Sequence, residues 1–391
     1  MSSTTFDDVI ERIKKEVIDW RRHLHQNPEL SFHEEKTSQF VYETLLSFGN
    51  LEVTRPTKYS VMARLIGAHP GKTLAIRADM DALPINEENT FAFVSRTPGV
   101  MHACGHDGHT AMLLGTAKIL TGLKERIKGE IRFLFQHAEE YFPGGAQEMV
   151  DAGVMEGVDV VIGAHLISDF EIGKVGIVYG PMMAAPDGFW ISIKGKGGHG
   201  SAPHQTIDSI AIGAQVVTNL QHIVSRYTDP LDNLVISVGK FTGGEAPNVI
   251  ADTVEMAGTV RSFDEKFRKS VPVHMERVVK GITEAHGATY KFRYEYGYFP
   301  VINNDEVTRV IEETVLEVYG DDAIDLQKPK MGAEDFSAFL RKAPGCYFVI
   351  GAGNQEKGIV YPHHHPRFTI DEDALEYGVK IFVNAALKFL S

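Results

Sequence analysis

Thr73-Leu74-Ala75-Ile76-Arg77-Ala78-Asp79-Met80-Asp81 runs from a mostly apolar stretch straight into two carboxylates. A short run of this kind, closed by ionisable residues, predicts a buried strand over Thr73 to Ala78. The pattern recurs twice downstream, where Ile131 to Gln136 leads to Glu139 and Glu140, and Val158 to Ala164 leads to His165. Between the first two runs, Thr110 to Leu123 carries apolar residues at helical spacing. Strands alternating with helices imply an α/β fold on a mostly parallel sheet with helices on both faces. Sites in such sheets form outside the carboxyl ends of the strands. Asp79, Asp81, Glu139, Glu140 and His165 are therefore expected to meet at one sheet edge.

Working outward, Phe6 to Gln26 and Glu34 to Phe48 read as helices, the second stopping at Gly49. Between Phe189 and Pro300 the order changes to strand (Phe189 to Lys194), helix (Ile207 to Val224), two strands (Leu234 to Phe241, Thr253 to Val260), helix (Asp264 to His286) and strand (Thr289 to Tyr296). That βαββαβ order predicts an inserted ferredoxin-like satellite domain. A helix, the run Met331 to Phe336, a strand around Tyr347 to Gly351 and a last helix then resume the first pattern. The expected boundaries are 1–182 and 299–391 for a discontinuous main domain, with 183–298 as the inserted satellite domain. Gly180-Pro181 and Gly297 to Pro300 are suited to act as hinges between them.

A chain of 391 residues with 43% hydrophobic and 23% charged residues belongs with globular proteins, and its length fits two domains. A net charge of −13 disfavours nucleic acid and anionic membrane surfaces as partners and favours a small molecule. Met1 to Ile10 lacks the basic and apolar regions of an export signal, and no stretch is apolar for the length of a membrane span, so a cytoplasmic location is expected. Two cysteines are too few for a disulfide framework. Cys346 sits in the apolar run Cys346 to Ile350 and reads as a buried strand residue, whereas Cys104 stands among histidines.

Met101-His102-Ala103-Cys104-Gly105-His106-Asp107-Gly108-His109 gathers a thiol, three imidazoles and a carboxylate. Thiolate and neutral imidazole are good ligands for zinc, cobalt, nickel or manganese. Taken singly, Cys-x-His can be a solvated glycine loop, and adjacent carboxylates usually mark a surface. Glu139 and Glu140, however, directly follow an apolar strand, and consecutive side chains at a strand end point different ways. One can bind metal while the other moves protons. Amide hydrolysis needs both roles, with a metal that activates water and polarises the carbonyl. His165 and the triplet His363-His364-His365 are further candidates, neither decisive by itself.

Together with the Cys104 segment, Trp20 to Leu30, Arg77 to Pro84 and His364-His365-Pro366-Arg367-Phe368 resemble the aminoacylase/carboxypeptidase superfamily of metallo-amidohydrolases over nearly the whole chain. The narrower likeness is to the branch containing hippurate hydrolases, bacterial N-acetyl-amino-acid deacetylases and plant auxin-conjugate hydrolases. The resemblance implies that Cys104, His106, Glu140, His165 and His364 hold two divalent ions (Zn, Mn, Co or Ni). It implies further that Glu139 is general base and later general acid, working with a metal-bound hydroxide. Related branches bind metal through a His where this chain has Asp79, so Asp79 and Asp81 are expected to orient ligands. His199, in Gly197 to His204, matches a residue that stabilises the oxyanion, in several relatives across a subunit boundary. Asn248 and Arg261 match positions near the substrate carboxylate, although Arg261 can equally make a structural ion pair.

The implied reaction is hydrolysis of an N-acyl-L-amino acid or similar small amide by a homodimer or higher homo-oligomer. A dipeptidase or carboxypeptidase is the nearest alternative, because it needs the same chemistry. A non-catalytic metal- or ligand-binding protein of the same fold is the other; such a protein would not need Glu139. The chain departs from the family at Tyr141-Phe142-Pro143, at Leu166 to Asp169 and at Lys330. Bulky Tyr141 and Phe142 beside the base are expected to reshape the acyl pocket.

Overall fold

The computed structural model describes residues 3–391, with side chains from residue 11 on, so the expectation drawn from Met1 to Ile10 falls outside the described side chains. The chain divides into two units, Met1–Met182 with Ile302–Pro329 and Asp335–Ser391, and Met183–Val301 with Lys330–Glu334. It opens with α1 (Ser3–Gln26), α2 (Glu35–Ser47), β1 (Glu52–Thr54), β2 (Val61–Ile66), β3 (His69–Asp79), α3 (His106–Thr121) and β4 (Lys128–Gln136). Next come α4 (Ala146–Asp151), β5 (Val160–Glu171), β6 (Val175–Ile177) and β7 (Gly180–Met183). The second unit contributes β8 (Ala185–Lys194), β9 (Gly198–His199), α5 (Ser209–His222), β10 (Leu234–Gly243), β11 (Val249–Ile250), β12 (Thr253–Ser262), α6 (Glu265–Ala285) and β13 (Thr289–Glu295). Then follow β14 (Val301–Asn303), α7 (Asp305–Tyr319), β15 (Ile324–Leu326), α8 (Ser337–Leu340), β16 (Gly345–Gly353) and α9 (Ala374–Phe389).

The first unit is built on an eight-stranded sheet in the order β1-β2-β4-β3-β5-β16-β6-β15. Its centre is parallel: β3 pairs with β4 and β5, and β5 with β16. Strands β1, β2 and β6 add antiparallel pairings. Every residue of β16, Gly-Cys-Tyr-Phe-Val-Ile-Gly-Ala-Gly, is buried, the mark of a strand covered on both faces. Helix α3 is buried all round except at Lys118. Gly115 lets it approach its neighbours closely, since a Cβ there would stand 2.8 Å from Val17 and 3.1 Å from Val379.

Two expectations need correction. Helix α3 starts at His106 rather than Thr110, because Gly105 adopts a left-handed conformation (φ 91°) that turns the chain into the helix. Strand β5 does not end at Ala164: it continues to Glu171, so His165 lies inside the strand, paired with Val349 of β16. Strands β1, β2, β6 and β15 were not anticipated; they are short, or border the sheet, and their apolar runs are too brief to stand out.

The second unit has a four-stranded antiparallel sheet, β10-β12-β8-β13, and the order β8-α5-β10-β12-α6-β13 reproduces βαββαβ, with the two-residue strands β9 and β11 forming a separate pair. Phe189, Ile191 and Ile193 alternate inward along β8 and join Val216 of α5 and Met275 of α6 in this unit's own core. Among the described residues, no helix is long and apolar enough to cross a membrane.

Candidate active site

In the first unit, β3 ends on Asp79, β4 ends on Gln136 just before Glu139 and Glu140, and His106 opens α3. These ends converge. Ligand atoms of Cys104, His106 and His165 lie within 4.8 Å of one another, as do those of Cys104, Glu140 and His364, and those of His106, Glu139 and Glu140. Cys104 is thus common to two groups that could each hold a cation. Both cysteines are free and buried.

Hydrogen bonds settle which imidazole nitrogens carry lone pairs. His165 Nδ1–H donates to the Leu166 carbonyl at 2.9 Å, so its Nε2, 3.5 Å from Cys104 Sγ, is the free acceptor. His106 Nδ1 donates to Asp81 Oδ1 at 3.1 Å, while its buried Nε2 has no hydrogen-bond partner. A backbone N–H from Leu166 reaches His109 Nε2 at 2.9 Å, so His109 Nδ1 donates to Asp79 Oδ1 at 2.6 Å. His364 Nε2 lies 3.1 Å from Glu140 Oε1, and its backbone N–H donates to the Ala103 carbonyl at 2.8 Å, tying its loop to the Cys104 segment.

The electrostatics favour a cation. Burial alone would lower the pKa of His106, but Asp79, Asp81 and Glu140 outweigh it and push it up to about 10. Burial, then the charges of Glu140 and Glu139, hold the Cys104 thiol well above its ordinary range. His165 is held well below the usual imidazole range by burial and then by His109 and His363, so it is neutral. A buried thiol, the neutral imidazole of His165, the protonated one of His106 and several carboxylates suit a divalent ion, which would take the place of the His106 proton and stabilise a thiolate. The residues therefore fit the expected metal.

Asp79 and Asp81 stand behind the ligand candidates. Burial opposes ionisation of Asp79, but Arg77, then His106 and His109, keep it charged well below the usual carboxylate range. Arg77 donates to Asp79 at 2.5 Å, to Gln136 at 2.7 Å and to Asp335 at 3.0 Å. Asp81 Oδ2 accepts the Ser31 hydroxyl at 2.7 Å and the Glu140 N–H at 3.0 Å.

Between the strand end and Glu139, Ala138 has φ 51°, left-handed for a residue with a side chain, which costs about 1–2 kcal/mol. Its N–H donates to Glu34 Oε1 at 2.7 Å and its carbonyl accepts the Gly145 N–H at 3.0 Å. Gly145 must be glycine, because a Cβ there would lie 1.9 Å from the His137 carbonyl oxygen. Beyond Glu140, Tyr141 and Phe142 are 67% and 55% exposed, and Tyr141 meets Phe32 edge-on at 6.5 Å.

Sequence reasoning missed several contributors. His363, passed over in favour of His364, brings Nδ1 to 3.4 Å from Cys104 Sγ. The sequence motifs contain Arg77, His109 and Glu34 without assigning them a role, and Ser31 lies outside every motif. A buried arginine next to a strand-end aspartate was the one available signal for Arg77.

The remaining predicted residues belong to the second unit. His199 lies on β9, exposed; the Ser201 N–H donates to its Nδ1 at 3.1 Å, which puts the ring proton on Nε2. The Gly200 N–H donates to the Asn248 carbonyl at 2.8 Å, so these two segments adjoin. Arg261, on β12, is half-buried and donates to Thr259 and to the Val260 carbonyl; burial lowers its pKa and Asp187 works against that. It forms no salt bridge among the described residues.

A fold of this kind carrying such a cluster defines a metallohydrolase, and residues 75–388 match the model of peptidase family M20/M25/M40. The chain belongs to that family and is a hydrolase. It is 71% identical to an N-acyl-L-amino acid amidohydrolase of Geobacillus stearothermophilus over 78% of this chain and 83% of that one. It is 45% identical to a thermostable carboxypeptidase of Saccharolobus solfataricus over 98% of this chain and 99% of the other. Among solved structures, a Bacillus subtilis protein described as a dinuclear metal-binding peptidase of family M20 superposes with a TM-score of 0.85 at 36% identity, covering 97% of this chain and 99% of that one.

Proposed function

We propose that the chain hydrolyses N-acyl-L-amino acids, or similar small amides bearing a free carboxylate, to a carboxylic acid and an amino acid. The observation that carries this reading is the buried Nε2 of His106, which has no hydrogen-bond partner, beside Cys104, Glu139 and Glu140. In it, Cys104, His106, Glu140, His165 and His364 hold two divalent ions of the zinc, manganese, cobalt or nickel kind. Bound there, such ions lower the pKa of water and polarise an amide carbonyl. Glu139, buried among these groups, takes a proton from the attacking water and hands it to the leaving nitrogen. Asp79 and Asp81 hold the imidazoles of His109 and His106 in one tautomer.

His199, with its proton on Nε2, is suited to donate to the oxyanion. Asn248 and Arg261 receive the substrate carboxylate, Arg261 as a guanidinium that makes no ion pair among the described residues. The Geobacillus relative supports the N-acyl-amino-acid class. The protein works as a homodimer through its second unit, and in the cytoplasm, where a cysteine ligand stays reduced.

The test is Glu139→Gln. Activity on N-acetyl- and N-benzoyl-amino acids is expected to fall about 10²- to 10⁴-fold while the protein keeps its bound metal; a variant with metal and full rate would end this reading. The Saccharolobus relative favours a second reading, carboxypeptidase activity. Faster turnover of dipeptides than of N-acyl amino acids would establish that reading instead.

A further inference from the structure

Glu34 is fully buried, yet the residue it serves is 104 positions away: the Ala138 N–H donates to its Oε1 at 2.7 Å. Its Oε2 has no hydrogen-bond partner. The backbone around the paired glutamates is held at three points. Glu34 takes the N–H of Ala138, Gly145 supplies an N–H to the Ala138 carbonyl at 3.0 Å, and Asp81 takes the N–H of Glu140 at 3.0 Å. Between these points Ala138 is kept left-handed, at φ 51°, a conformation that a side chain disfavours. A strained conformation persists only where its surroundings over-determine it. Of the three restraints, the one from Glu34 is supplied by a side chain that has no metal-ligand role and whose other oxygen, Oε2, has no hydrogen-bond partner.

We infer that Glu34 is a positioning residue, which fixes the turn at Ala138 and thereby the direction in which Glu139 presents its carboxylate. The inference rests on the reading of Glu139 as the proton carrier. Burial, with Asp81 nearby, raises the pKa of Glu34 to about 8, so at neutral pH it is mostly the neutral acid, and a glutamine can replace it with the same acceptor atom. A methionine has the same length and no acceptor for the Ala138 N–H. Without that bond the left-handed turn relaxes, and Glu139 moves away from its working position.

The experiment compares wild type, E34Q, E34M, A138G and E34M/A138G on N-acetyl-L-methionine, with metal content measured on each protein. E34M is expected to lose about 10²-fold in kcat with KM and metal content unchanged, and E34Q to keep most of the wild-type rate. Glycine adopts the left-handed turn without strain, so A138G should recover much of the rate that E34M loses. Should E34M fail to fold, E34D, which withdraws the acceptor by one methylene, takes its place in the same comparison. Equal losses in E34Q and E34M, or a loss that A138G leaves untouched, overturn the inference, because a merely structural acid would behave so. Full activity of E34M alongside an inactive Glu139→Gln overturns the role of Glu34 alone, whereas a fully active Glu139→Gln overturns the functional reading beneath it.

Discussion

The buried acid at position 34 offers a stability measurement as well as a kinetic one. Its pKa stands at about 8 in the fold, raised by burial and by Asp81, against an ordinary 4.5. Between those values the folded chain keeps a proton that the unfolded chain has released, so rising pH favours unfolding. Glu34→Gln removes that proton from both states. Relative to wild type, the variant should gain up to about 1.4 kcal/mol of stability for each pH unit between about pH 5 and 8, read from urea denaturation at several pH values. A difference that stays constant with pH would contradict the assignment. At this scale the sequence announced the chemistry of Cys104, His106, Glu139 and Glu140 by residue type and by their place after apolar runs. It carried no sign of Glu34, because a carboxylate at the start of an amphipathic helix looks like any solvated one until the chain path buries it.

Among the elements, α3 connects the site to the core. Its first residue is His106, and nine residues further on Gly115 lies against Val17 of α1 and Val379 of α9. Gly115→Val would force carbon into contacts that are already 2.8 and 3.1 Å at the Cβ, from neighbours that branch at Cβ and cannot swing away. The expected cost is about 1–3 kcal/mol, read as a lower urea midpoint; an unchanged midpoint would show that the helices separate freely. The central strands were legible because strands covered on both faces leave continuous apolar runs, as in Phe133 to Phe135 and Cys346 to Ile350. Their lengths were not: β5 continues past His165 because β16 keeps pairing with it through Gly351, a fact about a partner strand about 180 positions away.

Over the whole molecule, each unit has its own apolar core, and the candidate ligands all belong to the first. Chelation is therefore expected to lower the thermal midpoint of the full chain, and readdition of zinc or manganese to restore it, because an ion that binds only the folded state stabilises that state. The isolated stretch 183–301, which carries the second core, should fold and melt at a temperature indifferent to the chelator. Calorimetry on both proteins checks this, and a chelator-sensitive fragment or an insensitive full chain would contradict it. The amino-acid sequence by itself determined the α/β class, the βαββαβ insertion, the family and the chemical types gathered at the site, since apolar periodicity and residue chemistry are local and survive in one dimension. Only the tertiary structure decided that His363 reaches Cys104, that Arg77 joins Asp79 to Asp335, and that Glu34 grips Ala138. The bonds of Glu34 to Ala138, Arg77 to Asp335 and His363 to Cys104 close over separations of 104, 258 and 259 residues, and they depend on packing that brings distant atoms to between 2.7 and 3.4 Å, which no local pattern encodes.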